Sequence, residues 1–591
     1  MTEYVIAVVG AGPRGISFLE RLLARVERDG VPARGLRVLI ADPAPHGPGK
    51  VWEPSQSSLY LMNTPAAFPT ASPVGATQEE LPASSCSASF LDWWREHGDH
   101  DDARDQEGTW FPSRAEYGQY LTRLHQRVAE ALDQAGVVVE QRQDPVLSLS
   151  GRDSCGPGLA LGLPGKVERA DAAVLSLGHV EADLSTDPAR AALAEQAAQH
   201  GLHYQPPAVP TDVDLVALPA GENVLVRGMG LNFFDLMIAV TVGRGGSFQE
   251  VRGAAPGQRL RYVPSGQEPR LVAGARRGTP YRAKTDAPGF VPQGAELTRF
   301  TPEAAEKLAQ QHGQLDFEQQ LWPLILADVQ ATHRSFGGDG SFDPRSYAAP
   351  FAGTGFGSAQ EHRAAVLSWL EEDAASSAAA SGSPEKMAVK TLHAARFVLK
   401  ALLMEGRISA TSRAAQVEAW FEPLVEGLAS GAPVQRTEEL AALVRAGVVE
   451  ILGPSPVYTI DAAQDVFTAV SPQVAGAQHA AQHLVEAMMP PNRVGQSGSP
   501  LIQGLLRSGL ARPASLAGAE HKGFDVTPRP HRLISRSGEA QPVHVLGLQL
   551  SSAQWGTAIA AEAGGGPRTT ASTLADADAA ASHILDAARR T

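Results

Sequence analysis

The sequence predicts an α/β protein: parallel, doubly wound sheets with an added helical region. Three observations carry this. Short, continuous, β-branched runs such as 4–9 (YVIAVV) and 36–41 (LRVLIA) read as strands buried on both faces. A helical pattern to about residue 28 joins them, with Phe18, Leu19, Leu22, Leu23 and Val26 on one face. The same strand–glycine turn–helix order recurs at 223–242. At 591 residues the chain exceeds a single core, which stops growing at roughly 250–300 residues, so two or three domains are expected.

The first turn is Gly10-Ala11-Gly12-Pro13-Arg14-Gly15, between a predicted strand and a predicted helix. Gly10 permits the tight bend. Gly12 lets backbone approach a diphosphate, and Gly15 lets helix and strand pack closely. Free N–H groups and the positive helix end favour phosphate there. Pro13 suits the first helical turn, where its missing N–H costs nothing. Asp42 ends the second strand, where a carboxylate accepts hydrogen bonds from an adenosine ribose. This is a Rossmann-type dinucleotide unit.

Residues 43–85, rich in Pro, Gly and Ser, read as a long ordered loop, and loops of that length are usually functional. Pro43, Gly49, Lys50, Val51 and Trp52, and later Met62, Asn63 and Thr64, offer small, aromatic and polar groups to a flat ring. Predicted helices follow near 87–97 and 114–135, and predicted strands at 136–150, 157–163 and 172–177. The last strand ends at Gly178, followed by His179, which reads as a polar strand-end residue rather than a base. Near the C-terminus, Gly547 and Trp555 lie between a strand at 543–547 and a terminal helix at 573–588, an order that can return the chain to a flavin ring. Together these residues outline an FAD site.

The second turn, Gly228-Met229-Gly230, follows strand 223–227, and Leu231 and Asn232 open its helix. Phe233 replaces the third glycine. Strands are expected at 259–263 and 270–273, and no acid ends the first of them. Arg276, Arg277 and Arg282 lie downstream, and arginine accommodates the 2′-phosphate of NADPH. From about 300 to 450 the pattern is helical, with 373–385 (DAASSAAASGSPE) reading as an exposed linker. The expected domains are an FAD domain of 1–215 plus 480–591, an NAD(P)H domain of 216–300, and a helical substrate region of 301–479.

Fifty basic against 64 acidic residues give a net charge of −14, which argues against nucleic-acid or anionic-membrane binding. Two distant cysteines, Cys86 and Cys155, exclude a redox dithiol and make a disulfide framework or zinc site improbable, so no metal is expected. The first residues lack a signal-peptide pattern, and no apolar run reaches about 18 residues; a cytoplasmic, non-membrane protein is expected.

The chain resembles a family of bacterial FAD/NAD(P)-binding flavoproteins with a GxGPxG start. The resemblance rests on Gly10–Gly15, Gly49–Trp52, Met62–Thr64, Gly243–Phe248 and Tyr262–Pro269 and covers most of the chain, weakest over 300–450. Relatives include flavin-dependent N-monooxygenases acting on amino-acid amines such as aspartate and, more distantly, ornithine and lysine N-hydroxylases. The resemblance implies FAD, NADPH and O₂, a flavin C4a-hydroperoxide as oxidant, and an amino acid or small amine as substrate. Lys284, Arg493 and Arg529 join Arg276 and Arg277 as candidates for an anionic substrate or the NADPH phosphate. No catalytic acid or base is assigned. A flavin oxidoreductase without oxygen insertion and a non-enzymatic nucleotide-binding partner or sensor remain as alternatives, and a homo-oligomer is left open.

Overall fold

A computed structural model describes residues 3–29, 35–98, 107–151, 158–287, 289 and 291–590. Cys155 and residue 157, the expected start of a strand, lie outside these. The chain divides into two compact units: Met1–Asp183, Leu403–Glu405 and Pro491–Thr591, and Leu184–Leu402 with Gly406–Pro490.

In chain order the first unit begins with β1 (Tyr4–Val9), α1 (Pro13–Asp29), β2 (Leu36–Ala41), α2 (Arg114–Gln134), β3 (Val138–Arg142) and β4 (Ala172–Leu175). The second unit holds β5 (His203–Gln205), β6 (Asn223–Arg227), α3 (Leu231–Val240), β7 (Arg270–Gly274), α4 (Ala359–Ala378), α5 (Pro384–Met404, all but its last two residues), β8 (Val449–Ile451) and β9 (His483–Glu486). The chain returns to the first unit for β10 (Arg532–Ile534), β11 (Ala540–Val545) and α6 (Ser572–Ala588).

The first sheet has the order β10-β11-β4-β1-β2-β3, parallel except for β10 against β11. Its register aligns Val9 with Ala41 and with Leu175, and Leu175 with Val545. Gly10, Asp42, Ser176 and Leu546 therefore leave the sheet at one carboxyl edge, where ligands of doubly wound folds bind. On α1, Ile16, Phe18, Leu19, Leu22 and Leu23 are fully buried, sharing a core with Ala577, Ala580, Ala581 and Ile584 of α6. The long loop is ordered because buried groups of α1 hold it. Ser17 Oγ donates to Ala71 O (2.8 Å), Arg21 donates to Pro82 O (2.7 Å), and Glu20 accepts from Ser87 Oγ (2.6 Å).

The second sheet has the order β8-β7-β6-β9-β5 and is wholly parallel. Two expectations are corrected here. Residues 260–263 pair antiparallel with 247–250 in a hairpin, so the parallel neighbour of β6 is β7. Residues 373–378 extend α4 rather than forming an exposed linker, because Asp373, only 1% exposed, accepts bonds from Arg282 and Lys386 at 2.8 Å each. The single strand expected over 136–150 is two, Val138–Arg142 and Ser148–Gly151, and the latter opens an antiparallel meander with Leu159–Leu163 and Lys166–Ala170. No helix among the described residues is long and apolar enough to cross a membrane.

Candidate nucleotide-binding site

The three glycines of the first turn occupy three different environments. Gly10 has φ +96°, and a Cβ there would lie 2.4 Å from Ser176 O, so both conformation and space require glycine. A Cβ on Gly15 would lie 2.4 Å from Gly10 O, which is the close helix–strand packing expected of it. A Cβ on Gly12 would meet nothing nearer than Gly49 Cα at 3.9 Å. Protein atoms thus leave the place above Gly12 open, at the N-terminus of α1.

That place belongs to a cleft of ≈ 400 Å³ in the first unit. Gly10, Gly12, Pro13, Arg14, Asp42, Pro43, Gly49, Lys50, Val51, Trp52, Gly178 and Gly547 line it, with His179. The structure thus gathers twelve of the seventeen residues singled out for FAD. Of the other five, Gly15 packs beneath the turn, Met62 lies in the hydrophobic core, Asn63 and Thr64 are half-buried off the cleft, and Trp555 is buried and outside the lining. Among the described residues, no group of His, Cys, Asp and Glu is placed to hold a metal ion.

Asp42 accepts from the amides of Ala11 (2.7 Å) and Ala44 (2.8 Å), joining the glycine turn to the second strand end. Burial raises its pKa, and these two bonds oppose the rise. Arg14 donates to Thr557 O (3.1 Å) and Ile559 O, fixing a C-terminal segment whose Thr557, Ala558 and Ala560 line the cleft. Behind it, Asp576 of α6 accepts from Arg529 Nε (2.8 Å), His531 Nε2 (3.1 Å) and Gln554 Nε2 (2.6 Å). Burial opposes ionisation of Asp576, but the bond from His531 and the charge of Arg529 hold it well below the usual carboxylate range. Arg529, a candidate for substrate or phosphate, is therefore engaged within the fold, whereas Arg493 is exposed and donates to Glu520 O (3.4 Å). Burial lowers the His179 pKa to about 4, so its ring is neutral at physiological pH.

Sequence reasoning missed Tyr117, residues 145–147 and 499–501 of the lining. Tyr117 meets the Trp52 ring edge-on at 4.9 Å, and the neighbouring Gly118 leaves room for Trp52 O, 1.8 Å from where a Cβ would sit. A glycine inside an otherwise regular helix, after an aromatic, was the available signal.

The second turn follows the same plan within its own unit. Gly228 has φ +111°, and a Cβ there would lie 2.9 Å from Ala487 O. Gly230 faces the ring of Tyr281, 3.5 Å from a Cβ position, and Phe233 fills the core where a third glycine would allow closer packing. Leu231 is half-buried, and Asn232 donates to Ala208 O (3.2 Å). Arg276 is exposed; Arg277 lies over Tyr281 at 5.9 Å and donates to Pro423 O. Both follow β7, the true parallel neighbour of β6. Arg282 is not available for a phosphate: it stacks on Tyr347 (3.4 Å) and bonds Tyr347 O and Asp373. The stretch 243–269 is structural: Glu268 accepts from Tyr262 Oη and the Ser265 amide at 2.7 Å each, closing the hairpin. Beneath the turn, Glu486 is buried between Arg190 Nε (3.1 Å), Arg227 and Tyr204 Oη.

Turn, carboxylate and cleft define a dinucleotide-binding flavoprotein. The family model described as FAD-NAD(P)-binding matches residues 7–180. The chain is 34% identical, over 98% of its length and 94% of the relative, to an L-aspartate N-monooxygenase (nitrosuccinate-forming) of Streptomyces cremeus. It is 32% identical, over 99% of its length and 93% of the relative, to a nitrosuccinic acid synthase of Aspergillus oryzae. A solved structure, the FAD-bound cadaverine monooxygenase of Erwinia amylovora, is 13% identical, with 99% of this chain and 95% of that one covered at a TM-score of 0.43. The chain belongs to the family of flavin-dependent N-monooxygenases that contains the first two proteins. It is an enzyme with an FAD-NAD(P)-binding domain, and the two alternatives left open by the sequence fall away.

Proposed function

We propose that the protein oxidises the amine of L-aspartate to the nitro group of nitrosuccinate. The observation that carries this is near-full-length identity to two enzymes named for that product. The first N–O bond balances as amine + O₂ + NADPH + H⁺ → hydroxylamine + H₂O + NADP⁺, and later rounds take the nitrogen on to nitro. When bound, FAD supplies the redox chemistry, taking hydride from NADPH and activating O₂.

The residues of this chain bind and orient. Gly12 and the start of α1 offer amides and a positive helix end to the FAD diphosphate. Asp42 fixes the turn and presents its carboxylate at the ribose position. Gly49–Trp52 with Gly178, Gly547 and the segment held by Arg14 wall the cleft against water. Gly228, Gly230, Leu231, Asn232, Arg276 and Arg277 form the NADPH turn, the two arginines meeting the 2′-phosphate. On this reading the first unit is the FAD domain and the second combines the NADPH turn with the helical substrate region.

The test is NADPH oxidation and O₂ uptake by the FAD-loaded enzyme across a panel of amino acids, with product analysis. Coupled consumption that depends on L-aspartate, exceeds one NADPH per aspartate and yields nitrosuccinate is expected. Aspartate-independent turnover, or a different amine oxidised in preference, overturns it.

A further inference from the structure

The second unit holds a cavity of its own, of ≈ 280 Å³, lined by none of the residues assigned above to FAD or NADPH. It lies along β8, the edge strand of the second sheet. Glu450 of that strand lines it with Arg270 of β7, the start of α4, and His479. Its size falls just below the roughly 300–1,000 Å³ of drug-sized sites, so it suits a small ligand.

Floor and mouth differ in chemistry. The floor is apolar: Val366, Val444, Val449, Ile451 and Val474 are each 5% exposed or less. The exposed lining residues, Arg270, Ala359, Gln360 and Arg363, mark the mouth. Ala359 and Gln360 open α4, so the positive end of a helix joins two guanidinium groups there. Glu450 is already compensated: Arg270 pairs with one oxygen, and His479 Nε2 lies 3.2 Å from the other. Arg363 is not. Its Nη2 donates to Val444 O (2.7 Å) and Arg445 O (3.3 Å), its other N–H groups are unused, and no carboxylate among the described residues pairs with it.

His362, next to Arg363 on α4, is the second observation. Its ring lines the cavity, is 3% exposed and meets Phe356 edge-on at 4.9 Å, yet its Nε2 is buried without a partner. Burial lowers its pKa against the opposing charge of Glu450, so the ring is neutral and free to donate from Nε2. A buried ring nitrogen without a partner is costly, and a ligand oxygen would satisfy it.

We propose that this cavity binds a small aliphatic monocarboxylate. The carboxylate is held at the mouth by Arg363, the start of α4 and His362, and the hydrocarbon body lies on the valine floor. An alcohol of the same body forgoes the charge-assisted bond, and a bare short acid forgoes the apolar contact. The site is additional to the reaction proposed above and does not depend on it.

The test is calorimetric titration of the FAD-loaded full-length protein with acetate, butyrate, isovalerate and hexanoate, and with isoamyl alcohol as the uncharged body. Isovalerate should bind saturably, about tenfold or more tighter than acetate or isoamyl alcohol. Arg363→Met and Ala477→Phe, which fills the cavity from its lining, should each weaken isovalerate by about tenfold or more, and Arg363→Lys should keep most of the affinity. His362→Phe should weaken binding while holding or raising the Tm, because the partnerless nitrogen is gone; a ring serving packing alone would leave the affinity unchanged. Where Arg363→Met fails to fold, Ala477→Phe and His362→Phe decide. No saturable isovalerate binding to the wild type, or wild-type affinity in both Ala477→Phe and His362→Phe, overturns the site. Isovalerate displaced by saturating NADP⁺ makes the cavity part of the nucleotide site and overturns a separate one. An enzyme that oxidises L-aspartate but binds no isovalerate overturns this inference alone, and one that binds isovalerate but leaves L-aspartate untouched overturns only the reading of the reaction.

Discussion

Gly12→Val separates the fold of the first turn from its function. Its added Cβ has no protein atom within 3.9 Å, so the protein without FAD accommodates the start of the side chain. The same carbon stands where the diphosphate would approach the backbone. Loss of two charge-assisted amide bonds at about 1.5–3 kcal/mol each weakens FAD by about 3–6 kcal/mol, a factor on the order of 10²–10⁴. Gly15→Ala is the control, because its Cβ would collide with Gly10 O at 2.4 Å and perturb the fold directly, at about 1–3 kcal/mol. The assay is the ratio of flavin to protein absorbance after desalting, alongside the Tm of each protein stripped of FAD. The expected pattern is a colourless Gly12→Val with near-native stripped Tm and a Gly15→Ala with lowered Tm. Stoichiometric flavin in Gly12→Val would refute the placement of the diphosphate.

Lys284 gives a pH signature: its folded pKa of about 7 lies below the ordinary lysine value of 10.5, so its burial is most destabilising below pH 7 and is relieved as pH rises toward 10.5. Lys284→Met should therefore gain Tm over the wild type below pH 7 and lose that gain as pH rises toward 10.5; a Tm difference that does not change across that window refutes it. Asp576→Asn leaves Arg529 and His531 without their buried anion, and should cost about 3–5 kcal/mol in stability and weaken FAD retention, read by denaturant unfolding and flavin content. Burial and the neighbouring His583 depress the pKa of His544 to about 3. The unfolded chain thus takes up that proton first, and stability present above pH 6.5 is lost as pH falls toward 3. His544→Asn should flatten the slope of unfolding free energy between pH 7 and 5, and an unchanged slope excludes His544 as its source.

What was legible in the sequence is local. The bend at Gly10–Gly15, the strand ending at Asp42 and the second turn at Gly228–Gly230 each declare themselves within about thirty residues, because a glycine's tolerance of φ and contact is read from its own strand and helix. The misreadings involve partners far away in sequence. An Ala/Ser-rich stretch after residue 372 looked like a linker because nothing local reveals that Asp373 binds Arg282, 91 residues upstream. Arg282 looked available for phosphate for the same reason. Residues 259–263 carry strand propensity without direction, and their hairpin partner at 247–250 has too little apolar pattern to announce itself. Tyr117 reaches the cleft from the helix Arg114–Gln134, and residues 499–501 from the cap and first turn of another helix, Pro500–Ser508, whose sequence shows only ordinary amphipathic character.

Later strands and a later segment complete the first sheet and the wall of its cleft: β11 lies against β4, and Thr557, Ala558 and Ala560 line the cleft. During synthesis, a ribosome that has made the first five hundred residues has released a sheet whose β4 edge is still unpaired, an aggregation-prone state. A chain that stops before residue 540 therefore lacks Gly547 and residues 557–560 of the cleft lining, and should retain no flavin.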